Sequence, residues 1–244
     1  MRTIRGVAAA TGLAGLAFGA AAYGVRGRSS QVFGPSVYRG YGKRRSIALT
    51  FDDGPSAGTL ELLDYFAKEG VKATFFQCGL NVRRHPDISR RVSEAGHEIG
   101  NHTYSHARLC PQLGWHIQVR SPQFILDEFA LAQAIIQAEA KVEPKLLRAP
   151  YGLRWYGIGE AQRTLDLLGV MWTVIGHDWE WPSTRIFDRI RRRAAPGGIV
   201  CLHDGRDIQP NPDVSETSKA VKQLIPCLKN EGYTFETVSE ILQP

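Results

Sequence analysis

Ser46-Ile47-Ala48-Leu49-Thr50-Phe51-Asp52-Asp53-Gly54-Pro55 is an unbroken, largely apolar run that stops on two carboxylates and a turn dipeptide. Such a run, too short for a helix and bounded by Gly-Pro, reads as a strand covered on both faces. Thr59 to Glu69 then carries apolar residues at helical spacing and ends on Gly70, the residue that most readily closes a helix. Strand, turn and helix together make the first βα unit, and the rest of the chain repeats it.

Strands are expected at Ala73 to Phe76, Glu98 to Gly100, Lys145 to Arg148, Val170 to Ile175 and Ile199 to Leu202. Between and after them, helices are expected at Pro86 to Ala95, Phe124 to Lys141, Gly159 to Leu168, Ile186 to Ala194 and Ser215 to Lys229. Alternation of this kind predicts an α/β protein in which parallel strands are wrapped by helices. A length of 244 residues fits one barrel-like domain better than two independent ones.

The charge is unevenly spread. Eight of the 30 Lys and Arg fall in the first 45 residues, where there is no Asp or Glu, so the remaining chain is close to neutral against its 24 acidic groups. A basic pI therefore reflects a leader, and the body offers no basic stripe for nucleic acid. Gly6 to Val25 is uncharged and follows Arg2 and Arg5, the layout of an export signal. Residues 1–28 are read as a signal peptide cleaved near Ala20-Ala21-Ala22, or as an anchor retained in the membrane through residues 6–25. Residues 29–45, rich in Gly, Ser, Pro and Arg, are read as a linker, and residues 46–244 as the catalytic domain. The protein is then exported: periplasmic, extracellular, or held on the outer face of the cytoplasmic membrane. Cys78, Cys110, Cys201 and Cys227 form no CxxC unit, which argues against a thiolate zinc site and leaves pairing open. Oligomeric state is not legible.

In parallel barrels chemistry gathers where strands end. Asp52 and Asp53 follow the first strand, and in extended backbone they point apart, so one can hold a metal while the other moves a proton. His102-Thr103-Tyr104-Ser105-His106 spaces two imidazoles to share one face of a helical turn. Two imidazoles and a carboxylate leave a coordination position for water, as hydrolysis requires. Arg148 stands before the rigid Ala149-Pro150-Tyr151-Gly152, Asp178 follows the fifth strand, and His203-Asp204 ends the sixth.

In this order the segments resemble the motifs of the polysaccharide deacetylases that share the NodB homology domain, carbohydrate esterase family 4. The resemblance spans about Arg45 to Gln243: Thr50 to Pro55 for the first motif, His102 to His106 for the second, Arg148 to Tyr151 for the third, Asp178-Trp179 for part of the fourth and Ile199 to Asp204 for the fifth. It implies a distorted (β/α) barrel and removal of an acetyl group from an N-acetylated glycan. It further implies Asp53, His102 and His106 as metal ligands, Asp52 as base and His203 as acid. Arg148 would hold Asp52, Asp178 would pair with His203, and the Tyr151 amide would form part of an oxyanion site, with Trp179 and Cys201 lining the substrate pocket.

The mixed O/N ligand set suits Zn²⁺ first, with Co²⁺ or Mn²⁺ as alternatives. Trp115, Trp179 and Trp181 fit a sugar substrate, because aromatic faces stack on pyranose rings. Three departures from the family pattern stand out. Gly176-His177 replaces a stretch that often carries a further Asp, Cys201 stands where Leu is common, and the link from Ala107 to Phe124 is longer than usual. Two rival readings are a metallohydrolase of another amide or ester and a carbohydrate-binding barrel that no longer catalyses. The presence of every catalytic position ranks the non-catalytic barrel low, and the tryptophans favour sugar over another amide or ester.

Overall fold

The computed structural model describes residues 19–112 and 118–244. The chain runs through β1 (Ser36–Val37), β2 (Ser46–Asp52), α1 (Ala57–Glu69), β3 (Thr74–Gln77), α2 (Gly79–Arg84) and α3 (Pro86–Glu94). Next come β4 (Glu98–Asn101), α4 (Pro122–Ala140), β5 (Leu146–Leu147), a 3-10 turn (Pro150–Gly152), α5 (Ile158–Leu165), β6 (Leu168–Val170) and β7 (Val174–Ile175). The last elements are α6 (Ser183–Arg191), β8 (Gly198–His203), α7 (Ser215–Asn230), β9 (Thr234–Phe235) and α8 (Val238–Ile241).

All named strands pair in parallel, in the order β1-β6-β5-β4-β3-β2-β8-β7, with β9 beside the start of β2. The result is the single distorted (β/α) barrel expected, left open between β1 and β7. Its opening has a local cause. Val170 to Ile175, expected as one strand, is divided between β6, which pairs with β5 and β1, and β7, which pairs with β8. Three residues are too few for the crossover that hydrogen-bonded parallel neighbours need, so β6 and β7 take opposite sides of the seam.

Every residue of β2 is buried, which explains its unbroken apolar run. Alternation sorts it: Ile47, Leu49 and Phe51 pack outward under the helices with Phe66, Phe75 and Val200, while Ala48 packs inward with Phe76 and Ile199. Thr50 and Asp52 share the inward face with Ala48, in register with Cys201 and His203 of β8. Period and register thus bring Asp52 beside His203.

Cap chemistry sets the helix bounds. Ser56 and Thr59 form a capping box ahead of α1, and Gly70 closes it at φ 62°. The α4 helix begins two residues before its expected start, because Ser121 caps it and Pro122 suits the first turn. The short helix α2, opening on Gly79, was not foreseen.

Parts of the stretch read as a linker, residues 29–45, pack against the body. Ser30 and Ser36 are buried, β1 joins the sheet, and Gly40 donates to Gly197 O at 2.8 Å. Arg154, itself buried, donates to Ser30 O at 2.6 Å and Ser36 Oγ at 2.8 Å, and also to Gly27 O. A buried guanidinium demands acceptors, and this segment supplies them. Residues 1–18 of the expected leader, and Trp115 and His116, lie outside the described residues. Among the described residues no helix is long and apolar enough to cross a membrane. The four cysteines are free thiols, three of them buried.

Candidate active site and metal centre

Asp53 leaves β2 with φ 73°, a left-handed conformation that Asp tolerates better than most residues. The turn swings its side chain away from Asp52. His102 and His106 do not sit on a helical turn as the spacing suggested: the segment is irregular, with Thr103 at φ 66° and His106 at φ 54°. Side chains replace the missing helical bonds. Asn101 Oδ1 accepts from Thr103 N at 3.0 Å, and the buried Glu128 of α4 accepts from Ser105 N at 2.9 Å and Ser105 Oγ at 2.8 Å.

Both imidazoles converge on one carboxylate oxygen, with Asp53 Oδ1 3.2 Å from His102 Nε2 and 3.0 Å from His106 Nε2. His102 Nδ1 lies 2.8 Å from Arg148 O, so it donates there and leaves Nε2 as a lone pair facing Asp53. His106 Nδ1 lies 2.7 Å from Asp207 Oδ1, at an angle short of a well-aligned hydrogen bond. Asp53 Oδ1 is buried without a hydrogen-bond partner, while Oδ2 accepts from Asp207 N at 2.8 Å. Electron-pair donors gathered this closely, with an orphaned carboxylate oxygen among them, fit a divalent cation. The electrostatics agree. Burial would lower His106, but Asp207 and Asp53 outweigh it and push it up to about 9. Burial would raise Asp53, yet the two imidazoles hold it well below the usual carboxylate range. The cluster attracts positive charge.

Asp52 has a different partner. Arg148, fully buried, donates from Nη1 to Asp52 Oδ1 at 2.6 Å and to Thr50 Oγ1 at 2.7 Å. Its Nε reaches Val170 O at 3.2 Å and Nη2 reaches Met171 O at 3.3 Å, with the Phe76 ring 4.1 Å from the guanidinium carbon. On its other side Asp52 Oδ2 faces Cys201 Sγ at 3.5 Å. Burial and the Asp52 charge push that thiol well above its usual value, so Cys201 stays protonated and lines the pocket without acting as a nucleophile.

His203, paired in register with Asp52, has Nδ1 2.8 Å from Asp178 Oδ1. Asp178 Oδ2 accepts from His203 N at 2.8 Å and Thr217 Oγ1 at 2.7 Å, which fixes the carboxylate. Burial would lower the imidazole, but Asp178 outweighs it and His203 is pushed up to about 10. Burial would raise Asp178, and His203 holds it down.

These residues surround a cavity of about 460 Å³, the size of a small-molecule site. Trp179 lines it, edge-on to His203 at 5.3 Å, and Tyr151 lines it, edge-on to His106 at 4.7 Å. Tyr151 adopts φ 59°, and its amide donates to no group among the described residues. Trp181 is absent from the lining and instead stacks on His177 at 4.7 Å, with the Arg185 guanidinium 3.7 Å from its ring.

Sequence reasoning missed several residues. Asp207 contacts His106 and receives the Tyr151 hydroxyl at 3.1 Å. Asn81 ties Asp53 O, at 2.7 Å, to Asp207 O, at 2.9 Å. Thr217 braces Asp178, and Trp172 forms part of the cavity wall. Asp204, fully buried beside Asp52 and Asp53, is pushed up to about 7 by that burial. Only the position of Asp204, directly after His203, offered a signal.

The sequence profile of the polysaccharide deacetylase family matches residues 39–168. A chitooligosaccharide deacetylase from Bradyrhizobium sp. (strain ANU 289) is 33% identical over 218 residues, which cover 84% of this chain and 96% of that one. A peptidoglycan-N-acetylglucosamine deacetylase from Bacillus cereus is 30% identical over 215 residues, covering 85% and 72%. Among solved structures, a peptidoglycan N-acetylglucosamine deacetylase in complex with a hydroxamate-type benzamide superposes with TM-score 0.75 at 29% identity, covering 84% of this chain and 92% of that one. A pseudoenzyme of the CE4 family from Bacillus anthracis reaches the same TM-score at 25% identity, covering 87% and 70%.

Proposed function

The chain belongs to the polysaccharide deacetylase family, and from that premise we propose that it is a metal-dependent hydrolase removing N-acetyl groups from a carbohydrate chain, of the chitooligosaccharide or peptidoglycan type on which its relatives act. A likeness shared with a pseudoenzyme carries no activity by itself, so the proposal rests on the site. The observation that carries it is the orphaned Asp53 Oδ1 facing the Nε2 atoms of two imidazoles, with His102 Nδ1 engaged by Arg148 O and His106 Nδ1 2.7 Å from Asp207 Oδ1.

Asp53, His102 and His106 are the metal ligands in this reading, with Zn²⁺ the leading ion and Co²⁺ or Mn²⁺ alternatives. When bound, the ion would acidify a water and polarise the acetyl carbonyl. Asp52 accepts the water's proton, and Arg148 aims its carboxylate. The free Tyr151 amide faces the developing oxyanion. His203, kept cationic by Asp178, gives its proton to the departing amine, which would otherwise leave poorly. Trp179 and Tyr151 offer rings to the sugar.

We also infer export, on the basic, then apolar N-terminus, with cleavage near Ala20-Ala21-Ala22 or retention of residues 6–25 as an anchor. Acetate release from N-acetylated glycan oligomers, measured before and after chelation and after returning Zn²⁺, tests the central claim. Release that survives complete metal removal would overturn it.

A further inference from the structure

We propose that the substrate groove continues past Tyr151 into a cationic subsite, walled by Arg26 and Arg108, that takes a carboxylate on the sugar next to the one being deacetylated. This deepens the deacetylase reading and rests on it.

A second cavity, of about 300 Å³, is lined by Arg26, Arg108, Tyr151, Gly152, Leu153, Met171 and Trp172. Tyr151, Gly152 and Trp172 also line the catalytic cavity, so the two are compartments of one groove. A shared wall of Tyr151, Gly152 and Trp172 places them to take neighbouring sugars of a chain. The lining of the second compartment holds two guanidinium groups and no carboxylate. Asp207, which accepts from the Tyr151 hydroxyl, is committed to His106 on the catalytic side. The Arg108 guanidinium carbon lies 4.9 Å from the Tyr151 ring centroid, above the ring that the two compartments share.

Arg26 is held by an anchored backbone. Val25 O accepts from Arg154 N at 3.0 Å, and Gly27 O accepts from the Arg154 guanidinium. Arg28 donates to Trp172 O and Thr173 O, pinning the segment against the groove wall. The stretch whose composition marks it as part of a leader and linker therefore forms one side of the groove. A neutral N-acetylated oligomer offers two guanidinium groups only uncharged hydroxyl and carbonyl acceptors, whereas a carboxylate matches both their charge and their planar fork of donors.

The test compares wild type, Arg26→Ala, Arg108→Gln and the double variant on two soluble oligomers of equal length. One is a neutral N-acetylglucosamine oligomer, and in the other alternate sugars carry a carboxylate as a lactyl ether. Wild type should favour the acidic oligomer, and the preference should shrink as salt rises. Each substitution should lower kcat/KM on the acidic oligomer by about 3- to 10-fold while changing the neutral one by less than about 2-fold. Equal losses on both oligomers, or none on either, would overturn the subsite. If no protein releases acetate from either oligomer, the deacetylase reading fails. Calorimetric binding of the acidic oligomer to chelated protein then decides the subsite separately: weaker binding by the double variant supports it, and equal binding refutes it.

Discussion

Asp178→Asn isolates the proton donor from the rest of the site. The substitution is close to isosteric and can still accept from Thr217 and from the His203 amide, which now meet Asp178 Oδ2 at 2.7 and 2.8 Å. It removes the charge 2.8 Å from His203 Nδ1. That charge is what overcomes burial and pushes His203 up to about 10. Without it the imidazole should fall to its ordinary value of about 6.5 or below, since burial opposes the charged form and Asp53, engaged on a cation, contributes less. The reaction needs His203 protonated, so the rate is lost as pH rises through its pKa, and a lower pKa moves the alkaline limb to lower pH. At pH 8.5 the protonated fraction should drop from nearly all to about 1%, a loss of about 100-fold in kcat/KM, whereas near pH 6 the loss should stay within about 10-fold. The assay is kcat/KM for acetate release from a soluble N-acetylated oligomer between about pH 5 and about 11, a span that runs past the wild-type alkaline limb near 10. An alkaline limb that stays in place would refute the assignment of His203 as acid. The same pair shapes stability: His203 contributes below its unfolded pKa and loses that contribution as pH rises through about 10, while the depressed Asp178 loses its share as pH falls.

His106→Ala or Asp53→Ala should abolish acetate release with little change in the circular dichroism spectrum, because a catalytic ion is rarely the main support of a domain this size. Substantial turnover in either variant would remove that residue from the metal site. Arg148→Met should lower the urea midpoint by an amount worth about 3–5 kcal/mol, since Asp52 is left buried without its cation. A midpoint equal to wild type would mean that Asp52 finds another partner. A chain starting at Tyr23 should unfold like the full chain, whereas one starting at Ser46 loses β1 and the Ser30, Ser36 and Gly27 acceptors of Arg154. The expected cost is about 2–4 kcal/mol in urea denaturation, and equal midpoints for the two truncations would refute a structural role for residues 23–45.

The amino-acid sequence by itself determined the alternation of strand and helix, the single parallel barrel and the strand ends at which chemistry collects. These follow from local rules: apolar runs mark strands buried on both faces, helical spacing marks covers, and Gly70 marks a stop. Asp52, Asp53, His102, His106, Arg148, Asp178 and His203 were legible as candidates because they end or follow predicted strands, with their roles implied by the family resemblance. Only the tertiary structure decided how they converge. His102 and His106 meet Asp53 through left-handed backbone at Thr103 and His106, which spacing alone rendered as a helical turn. The division of Val170 to Ile175 depends on which edges lay open to β6 and β7, a property of the whole sheet. Asp207, Asn81, Thr217 and Arg26 carry no local mark, since a polar residue in a loop, helix or leader has the same composition whether it braces a site or faces solvent. Their roles arise from contacts between segments distant in sequence: Asn81 with Asp207, Thr217 with Asp178, and Arg154 with the stretch that presents Arg26. Burial and periodicity are written into neighbouring residues, whereas the partner of a buried charge is chosen only when the chain has closed around it.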